Sequence, residues 1–228
     1  MKELNCDYLV VGAGAAGCVV SNRLSHSPNN RVICIEAGEK DTNFYIKIPA
    51  GFSKTVYNDK INWPYYTEET ENTANRKIRF PRGKVVGGSS SINGHLYVRG
   101  QSNDYDGWAQ KGCLGWSWTD VLPYFMKAET RPEGNKNYRG SSGPLFISNL
   151  TSPHPFAKLF IETAHGIGIK KNIDYNSGDQ EGSFLYQTMI KNSMRWSASD
   201  AYLKPILNKD NFKLFIKTYL HKIIFKNK

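Results

Sequence analysis

The hydrophobic pattern of the first forty residues predicts two buried strands with a helix between them. Tyr8, Leu9, Val10 and Val11 form a short continuous apolar run, which is typical of a strand buried on both faces, over about residues 7–12. The run RVICIEAG at 31–38 predicts a second strand of the same kind. Small and apolar residues at about 15–25 predict a helix that ends before Pro28. A strand–helix–strand unit of this kind predicts an α/β fold with a mostly parallel sheet.

Beyond residue 39 the pattern is less regular. It predicts helices at 117–129, 154–168 and 196–207, a helix start at Ser89, strands at 183–190, 212–220 and 222–225, and strand with loop at 62–70. Ser117 or Thr119 is the expected N-cap of the first of these helices, with Pro123 in its first turn. No internal repeat, low-complexity block or long linker interrupts the chain.

Length and composition indicate a globular protein. The chain has 228 residues, of which 39% are hydrophobic, enough for one large domain or two modest ones. No apolar run approaches the roughly 20 residues that span a bilayer, and the N-terminal stretch does not have the pattern of a signal peptide. The four cysteines lack metal-ligand spacing, and Cys18 and Cys34 are expected to be buried free thiols. We therefore expect no metal site and a cytoplasmic location, with peripheral membrane association left open.

The net charge of +10 raises the possibility of a nucleic-acid partner. Most of the excess lies between Lys191 and Lys228, where the lysines are spaced along predicted strands. Lysine, asparagine and isoleucine are also frequent throughout the chain, so the charge indicates a solvated face. We expect no nucleic-acid partner.

The first glycine-rich loop, Gly12-Ala13-Gly14-Ala15-Ala16-Gly17, fits a dinucleotide-binding fingerprint. It follows a predicted strand and opens a predicted helix, and Glu36 lies at the end of the next strand. Gly12 would allow the tight turn, Gly14 the approach of the pyrophosphate, and Gly17 close packing of the helix. The helix N-terminus would attract phosphates, and Glu36 would accept hydrogen bonds from a ribose. A carboxylate at this point disfavours NADP, whereas NAD and FAD both remain open.

A second glycine-rich stretch, RGKVVGGSSSINGHLYVRG at 82–100, is either a flexible linker or a loop that closely approaches a ligand. Gly87 and Gly88 remove side chains where a backbone must come close. Ser89, Ser90 and Ser91 are expected to supply an N-cap and hydroxyl donors at a helix start. We expect this loop to lie beside the 12–17 loop, at the carboxyl ends of the strands, and to serve the far half of a dinucleotide.

This stretch resembles the signature of the glucose–methanol–choline (GMC) oxidoreductases, which are FAD-dependent alcohol-oxidising enzymes. The resemblance runs in order from about Cys6 to Phe225 and is closest to the choline dehydrogenase-like branch. The other segments that carry it are DYLVVGAGAAGCVVSNRLS, VICIEAG, IPAGF, NWPYYTEE, DYDGWAQKGCLGWSWTDVLPYFMKAE and ASDAYLKPIL. It implies a Rossmann-like FAD/NAD(P)-binding domain with the beginning of a substrate-domain insertion.

The resemblance also implies which residues hold FAD. Val86, Gly88 and Ser89 would lie along the cofactor, the backbone of Asn93–Leu96 would pass its ring, and Leu220 would contact the adenine. The binding would be non-covalent, because Ile92 stands where some members tether the ring through a histidine. Trp63 would pack, and His95 would be a cavity-edge side chain. The complete cofactor-binding set is Gly12, Ala13, Gly14, Ala15, Ala16, Gly17, Glu36, Ala37, Val86, Gly88, Ser89, Asn93, Gly94, His95, Leu96 and Leu220.

The chain is shorter than the family pattern, and the family's histidine base and second signature would lie beyond Lys228. No catalytic residue is therefore predicted within it, and the pattern is that of a C-terminally truncated enzyme, inactive alone. Residues 1–228 would form the FAD-binding domain, with 1–38 as the βαβ unit, 39–150 as FAD-covering loops and helices, and 151–228 as the start of the insertion and the return to the FAD domain.

Three hypotheses stay open: an enzyme fragment, one half of a two-chain enzyme whose C-terminal half is a separate partner, and a non-catalytic dinucleotide-binding or interaction module. The rival enzyme class is an NAD-dependent dehydrogenase. The family substrate is a small alcohol, with choline as the first candidate. The alcohol, the electron acceptor and the oligomeric state cannot be predicted from the sequence.

Overall fold

The computed structural model describes residues 3–131 and 133–226, so Met1, Lys2, Pro132, Asn227 and Lys228 of the predicted domain lie outside the described residues. The chain divides into two compact units, one made of residues up to His95 with those from Ser193 onward, the other of Leu96–Asn192. The elements in chain order are β1 (Tyr8–Val11), α1 (Ala15–Leu24), β2 (Val32–Ile35), α2 (Phe44–Lys47), α3 (Phe52–Thr55), α4 (Ser102–Gln110), α5 (Trp118–Ala128), β3 (Glu129–Thr130), β4 (Leu145–Phe146), α6 (Pro155–Gly166), β5 (Ile190–Lys191), β6 (Met194–Arg195) and β7 (Phe212–Phe215).

A parallel three-stranded sheet in the order β1-β2-β7 forms the centre of the first unit. Val10 pairs with Cys34, and Cys34 pairs with Leu214 on the other side. The predicted α/β fold with a parallel sheet is confirmed. Helix α1 connects β1 to β2, and its Asn22 Nδ2 donates to the Tyr202 carbonyl at 2.7 Å, which ties the helix to a one-turn π-helix at Ser199–Leu203.

Strand β1 is less buried than its sequence predicts. All four residues of β2 are buried, whereas Leu9 and Val11 of β1 are each 51% exposed. The prediction of burial on both faces is wrong for β1, because within the described residues it lies at the edge of the sheet with β2 as its neighbour. An exposed apolar edge strand of this kind readily pairs with another strand.

Several predicted elements take other forms. The helix start predicted at Ser89 is only a 3₁₀ turn at Gly88–Ser91, and the predicted 196–207 helix consists of the π-helix followed by a 3₁₀ turn at Lys204–Ile206. Residues 222–225 have no regular structure, and 183–190 forms isolated bridges and one residue of β5. Pro123 is the sixth residue of α5 and not in its first turn, since Ser117 is the N-cap. Helices α2, α3 and α4 were not predicted, because the first two are single turns and α4 is polar.

The second unit is organised around buried charges. Glu129, at the start of β3, is fully buried and accepts from Arg139 Nε at 2.8 Å, while Arg139 Nη1 donates to Asp174 at 2.7 Å. Strands β3 and β4 pair in parallel beside this cluster. In residues 3–131 and 133–226 no helix has the length and apolar character needed to cross a bilayer.

Candidate functional site

The three glycines of the 12–17 loop have different surroundings. Gly12 has a φ of +91°, which side chains rarely adopt, so it makes the turn after β1. A Cβ on Gly17 would lie 1.9 Å from the Gly12 carbonyl oxygen, so its absence lets α1 pack against the turn. A Cβ on Gly14 would meet no atom of the chain within 4 Å. Packing within the protein therefore explains Gly17, whereas the space beside Gly14 is open to a ligand.

Glu36 anchors this loop from the end of β2. One carboxylate oxygen accepts from the Ala13 amide and the other from the Gly38 amide, both at 2.8 Å, and the residue is 6% exposed. The sequence pattern predicts that Glu36 contacts a ribose, but it does not predict that Glu36 accepts hydrogen bonds from the Ala13 and Gly38 amides. A carboxylate oxygen that accepts one amide still has a lone pair for a ligand hydroxyl.

The second glycine-rich stretch lies against the first, as predicted. The Gly87 amide donates to the Ala13 carbonyl at 2.7 Å, and a Cβ on Gly88 would lie 2.7 Å from Gly14 Cα. Gly87 and Gly88 have φ values of +88° and +55°. Ala13 thus links the 12–17 loop to the end of β2 through its amide, which donates to Glu36, and to the second loop through its carbonyl, which accepts from Gly87.

The three serines do not provide the expected N-cap. Ser90 Oγ donates to the Gly87 carbonyl at 2.6 Å, and Ser91 Oγ donates to the Val86 carbonyl at 2.8 Å. Ser89 Oγ accepts from the Gly83 amide at 3.1 Å. Their hydroxyls therefore hold the loop in its tight conformation, while the N-cap of the 3₁₀ turn is Gly87, which has no side chain to donate or accept.

The two loops border a cavity of about 420 Å³ beyond the carboxyl ends of β1 and β2. Of the residues predicted from the sequence, it brings together Gly12, Gly14, Glu36, Ala37, Gly88 and Leu220. The other lining residues were not among those predicted to hold the cofactor; they are Val11, Ile35, Trp63, Gly83, Thr218 and Tyr219. A cleft of this size at this place is where open α/β sheets bind ligands.

An aromatic pair forms one wall of the cavity. The Trp63 and Tyr219 rings meet edge-to-face with centroids 6.1 Å apart, and Lys84 Nζ lies 5.0 Å and 5.1 Å from their centroids. Trp63 also stacks on Tyr65, with the ring planes 4° apart. The resemblance gives Trp63 a packing role, and the structure adds that it lines the cavity. No pattern in the sequence predicts that Tyr219 lines the cavity, because it follows β7 in an irregular segment.

His95 is buried and does not line the 420 Å³ cavity. It is 8% exposed, its φ is +49°, and its ring meets Phe52 edge-to-face at 6.2 Å. Its amide donates to Asn93 Oδ1 at 3.0 Å. Burial, aided by the nearby Arg195 cation, lowers the pKa of His95 from 6.5 to about 4. A side chain with this pKa is a weak proton acceptor near neutral pH.

The remaining predicted residues do not line the cavity. Ala13 is a buried member of the 12–17 loop, while Ala15 and Ala16 are exposed at the start of α1, whose first amides lack partners within the helix. Val86 is buried and borders a separate cavity of about 800 Å³. Ser89, Asn93 and Gly94 continue the loop, and Leu96 is the first residue of the second unit, 48% exposed. Within the described ranges, no cluster of three potential metal ligands occurs.

The parallel sheet, the open space at Gly14 and the carboxylate at the end of β2 together define a dinucleotide-binding α/β protein. Comparison with known proteins gives the family: the family model of the GMC oxidoreductases matches residues 6–228. The chain belongs to the GMC oxidoreductase family.

Curated relatives and solved structures agree with this. The chain is 40% identical over 224 residues to an oxygen-dependent choline dehydrogenase of Sinorhizobium fredii, across 98% of this chain and 41% of the relative. The protein of the same name from Brucella anthropi is 40% identical across 99% of this chain and 41% of its own. The structure of pyridoxine 4-oxidase from Mesorbium loti superposes with a TM-score of 0.89 at 34% identity, across 93% of this chain and 42% of that one. The chain thus spans about two fifths of the length of these relatives.

FAD is the cofactor of this family, and the residues present fit it. The open space beside Gly14 and the backbone amides at the start of α1 fit a pyrophosphate. The carboxylate of Glu36 fits a ribose diol. The chain is therefore the N-terminal FAD-binding part of a GMC oxidoreductase, with non-covalent FAD.

Proposed function

We propose that this chain is the FAD-holding part of an alcohol oxidoreductase that acts on CH–OH donors, with choline or a related small alcohol as substrate. When bound, FAD supplies the hydride acceptor for the alcohol carbon. The observation that carries the proposal is the open cavity between the two glycine loops, next to Glu36. The names of the relatives support the substrate class.

Each loop has its own part in holding the cofactor. Gly12, Gly14 and the Ala15–Gly17 amides receive the pyrophosphate, and the phosphates face the positive end of the α1 dipole. Glu36 and Ala37 receive the adenosine ribose, and Leu220 lies at the adenine end. Gly88 and Ser89 follow the cofactor, and the Asn93–Leu96 backbone borders its ring.

The proton-transfer step of alcohol oxidation requires a base in addition to the cofactor. Abstraction of the hydroxyl proton needs a base within hydrogen-bond reach of the substrate, and no residue of this chain is given that role. We propose that a C-terminal segment or partner chain supplies it, and that the first unit, with its 1–38 βαβ fold and the 39–95 loops, forms the FAD domain. The cysteines Cys6, Cys18, Cys34 and Cys113 are free thiols, which supports a cytoplasmic location.

The proposal is tested by titrating the purified 228-residue chain with FAD and comparing glycine variants. Gly14→Ala places a methyl group in the open space, so we expect FAD affinity to fall at least about tenfold while the free energy of unfolding stays within about 0.5 kcal/mol. Gly17→Ala forces α1 off the turn, so we expect it to lower the free energy of unfolding by about 2 kcal/mol or more.

Gly107→Ala is the matched control, because a Cβ there also meets nothing within 4 Å but lies on α4. Its FAD affinity should equal that of the wild type. Equal affinity in Gly14→Ala and Gly107→Ala would refute the site, and a wild-type chain that binds NAD but not FAD would favour the dehydrogenase alternative.

A further inference from the structure

Arg195 is a buried arginine that makes three hydrogen bonds within the first unit. It is 2% exposed, and its Nε donates to the Ile46 carbonyl at 2.9 Å. Its Nη1 donates to the Ser90 carbonyl at 3.2 Å and to Asn93 Oδ1 at 3.0 Å. One guanidinium thus connects helix α2, the 3₁₀ turn and the loop that follows the turn.

The bond to Asn93 extends this restraint along the backbone. Asn93 Oδ1 also accepts from the His95 amide at 3.0 Å, and His95 has the left-handed φ of +49°. A left-handed conformation in a residue other than glycine costs free energy and needs support from its surroundings. A second contact comes from the same segment, since the Ala198 amide donates to Ser90 Oγ at 3.1 Å.

Arg195 does not have the surroundings of an arginine kept for charge pairing. Among the described residues it forms no ion pair within 4.0 Å, and its Nη2 is buried without a hydrogen-bond partner. Burying a cation without a directly paired carboxylate is costly, so an apolar side chain would serve packing alone better. The hydrogen bonds from Arg195 to Ser90 and Asn93 offset this cost. They indicate that Arg195 serves to hold the loop that contains these two residues.

We propose that Arg195 is a positioning residue for the cofactor loop, defined as residues 88–95: it fixes the Ser90 and Asn93 groups so that the loop is preorganised for FAD. Arg195 does not line the 420 Å³ cavity, so it acts through Asn93 and Ser90 and not by touching the cofactor. This inference rests on the proposed function, because it concerns affinity for FAD.

The test is a double-mutant cycle on the full 228-residue chain, with FAD affinity as the first readout. We expect Arg195→Met and Asn93→Ala each to weaken FAD binding about tenfold. The double variant should be no more than about threefold weaker than the worse single one, because both changes remove the same restraint. Arg195→Lys keeps the charge but not the three-way geometry, so its affinity should lie between wild type and Arg195→Met.

The second readout is amide hydrogen exchange of residues 88–95 without FAD. Arg195→Met should speed exchange in the loop, since the restraint is lost before any cofactor is present. Arg131→Met is the matched control: Arg131 is also buried, donates to an asparagine, Asn149, at 2.8 Å, and has a buried nitrogen without a partner, but belongs to the second unit. It should leave both FAD affinity and loop exchange unchanged.

The outcomes separate the two proposals. A wild-type chain that does not bind FAD refutes the proposed function. A wild type that binds FAD, with Arg195→Met unchanged in affinity and loop exchange, refutes the positioning role alone. Additive losses of about 100-fold in the double variant, or an equal loss in Arg131→Met, would also overturn it, because they indicate independent or general destabilisation.

Discussion

At the scale of single residues, the free energy of unfolding should depend on the protonation of His95. The folded protein holds the pKa of His95 at about 4, below its ordinary 6.5, so between these values the unfolded chain binds a proton that the folded one does not. The stabilisation is complete above about pH 6.5 and is lost as the pH falls toward 4. We expect a loss on the order of 2 kcal/mol between pH 7 and pH 5 in urea unfolding.

A variant without the imidazole isolates this contribution. His95→Asn keeps a residue that tolerates a positive φ, so it should remove that part of the pH dependence. The exposed His165 offers a control, and His165→Asn should leave the pH dependence as in the wild type. Identical pH profiles for His95→Asn and wild type would contradict the assignment.

The sequence predicted the residues of the site better than their contacts. Gly12, Gly14, Glu36 and Gly88 meet at the cavity because a short fingerprint specifies backbone geometry within a few residues. The contacts of Arg195 and Tyr219 could not be predicted, since they join segments far apart in sequence through side chains that have no local pattern. The N-cap predicted from Ser89, Ser90 and Ser91 was wrong for a related reason. A serine hydroxyl near a turn can donate to a carbonyl of its own loop as readily as it can cap a helix.

At the scale of elements, helix α5 carries its proline in the interior and not in the first turn, where the sequence pattern predicted it. Pro123 lies inside the helix and is exposed, so it leaves the Thr119 carbonyl without its intrahelical donor and contributes little packing. We expect Pro123→Ala to raise the free energy of unfolding by about 1–3 kcal/mol, measured by urea denaturation. Ser117→Ala, which removes the N-cap of the same helix, should lower it by about 1 kcal/mol. A destabilised Pro123→Ala would contradict this expectation.

Elements with a strong local pattern were predicted, and those that depend on distant partners were not. β1, α1 and β2 follow from consecutive apolar runs and a glycine turn. Residues 222–225 have an equally apolar pattern, but they form no strand, and Ile224 is 76% exposed. An apolar run predicts a strand only where a neighbouring strand is available to pair with it, and the sequence of the run does not contain that information.

At the scale of the whole molecule, the chain has cofactor loops but no assigned base. We expect the purified 228-residue chain not to reduce an artificial electron acceptor with choline or simple alcohols, because a positioned base typically contributes 10²–10⁴-fold. Exposed Leu9 and Val11 on an edge strand should also favour association, seen as a rise in apparent mass with concentration. Supplying the C-terminal part of a related enzyme should restore turnover. Acceptor reduction by the chain alone, at a rate typical of enzymes, would contradict this, and His95 would be the first residue to test.

The bond from Asn22 to the Tyr202 carbonyl joins residues 180 positions apart. During synthesis at about 5–20 residues per second, α1 would wait on the order of ten seconds or longer for that partner. Strand β7, which completes the sheet beside β2, is made later still. Until then the nascent βαβ unit exposes both edges of a two-stranded sheet, at the stage when chaperones compete with aggregation. The rate of translation, and not only the sequence, would therefore influence how much of this protein reaches its native state.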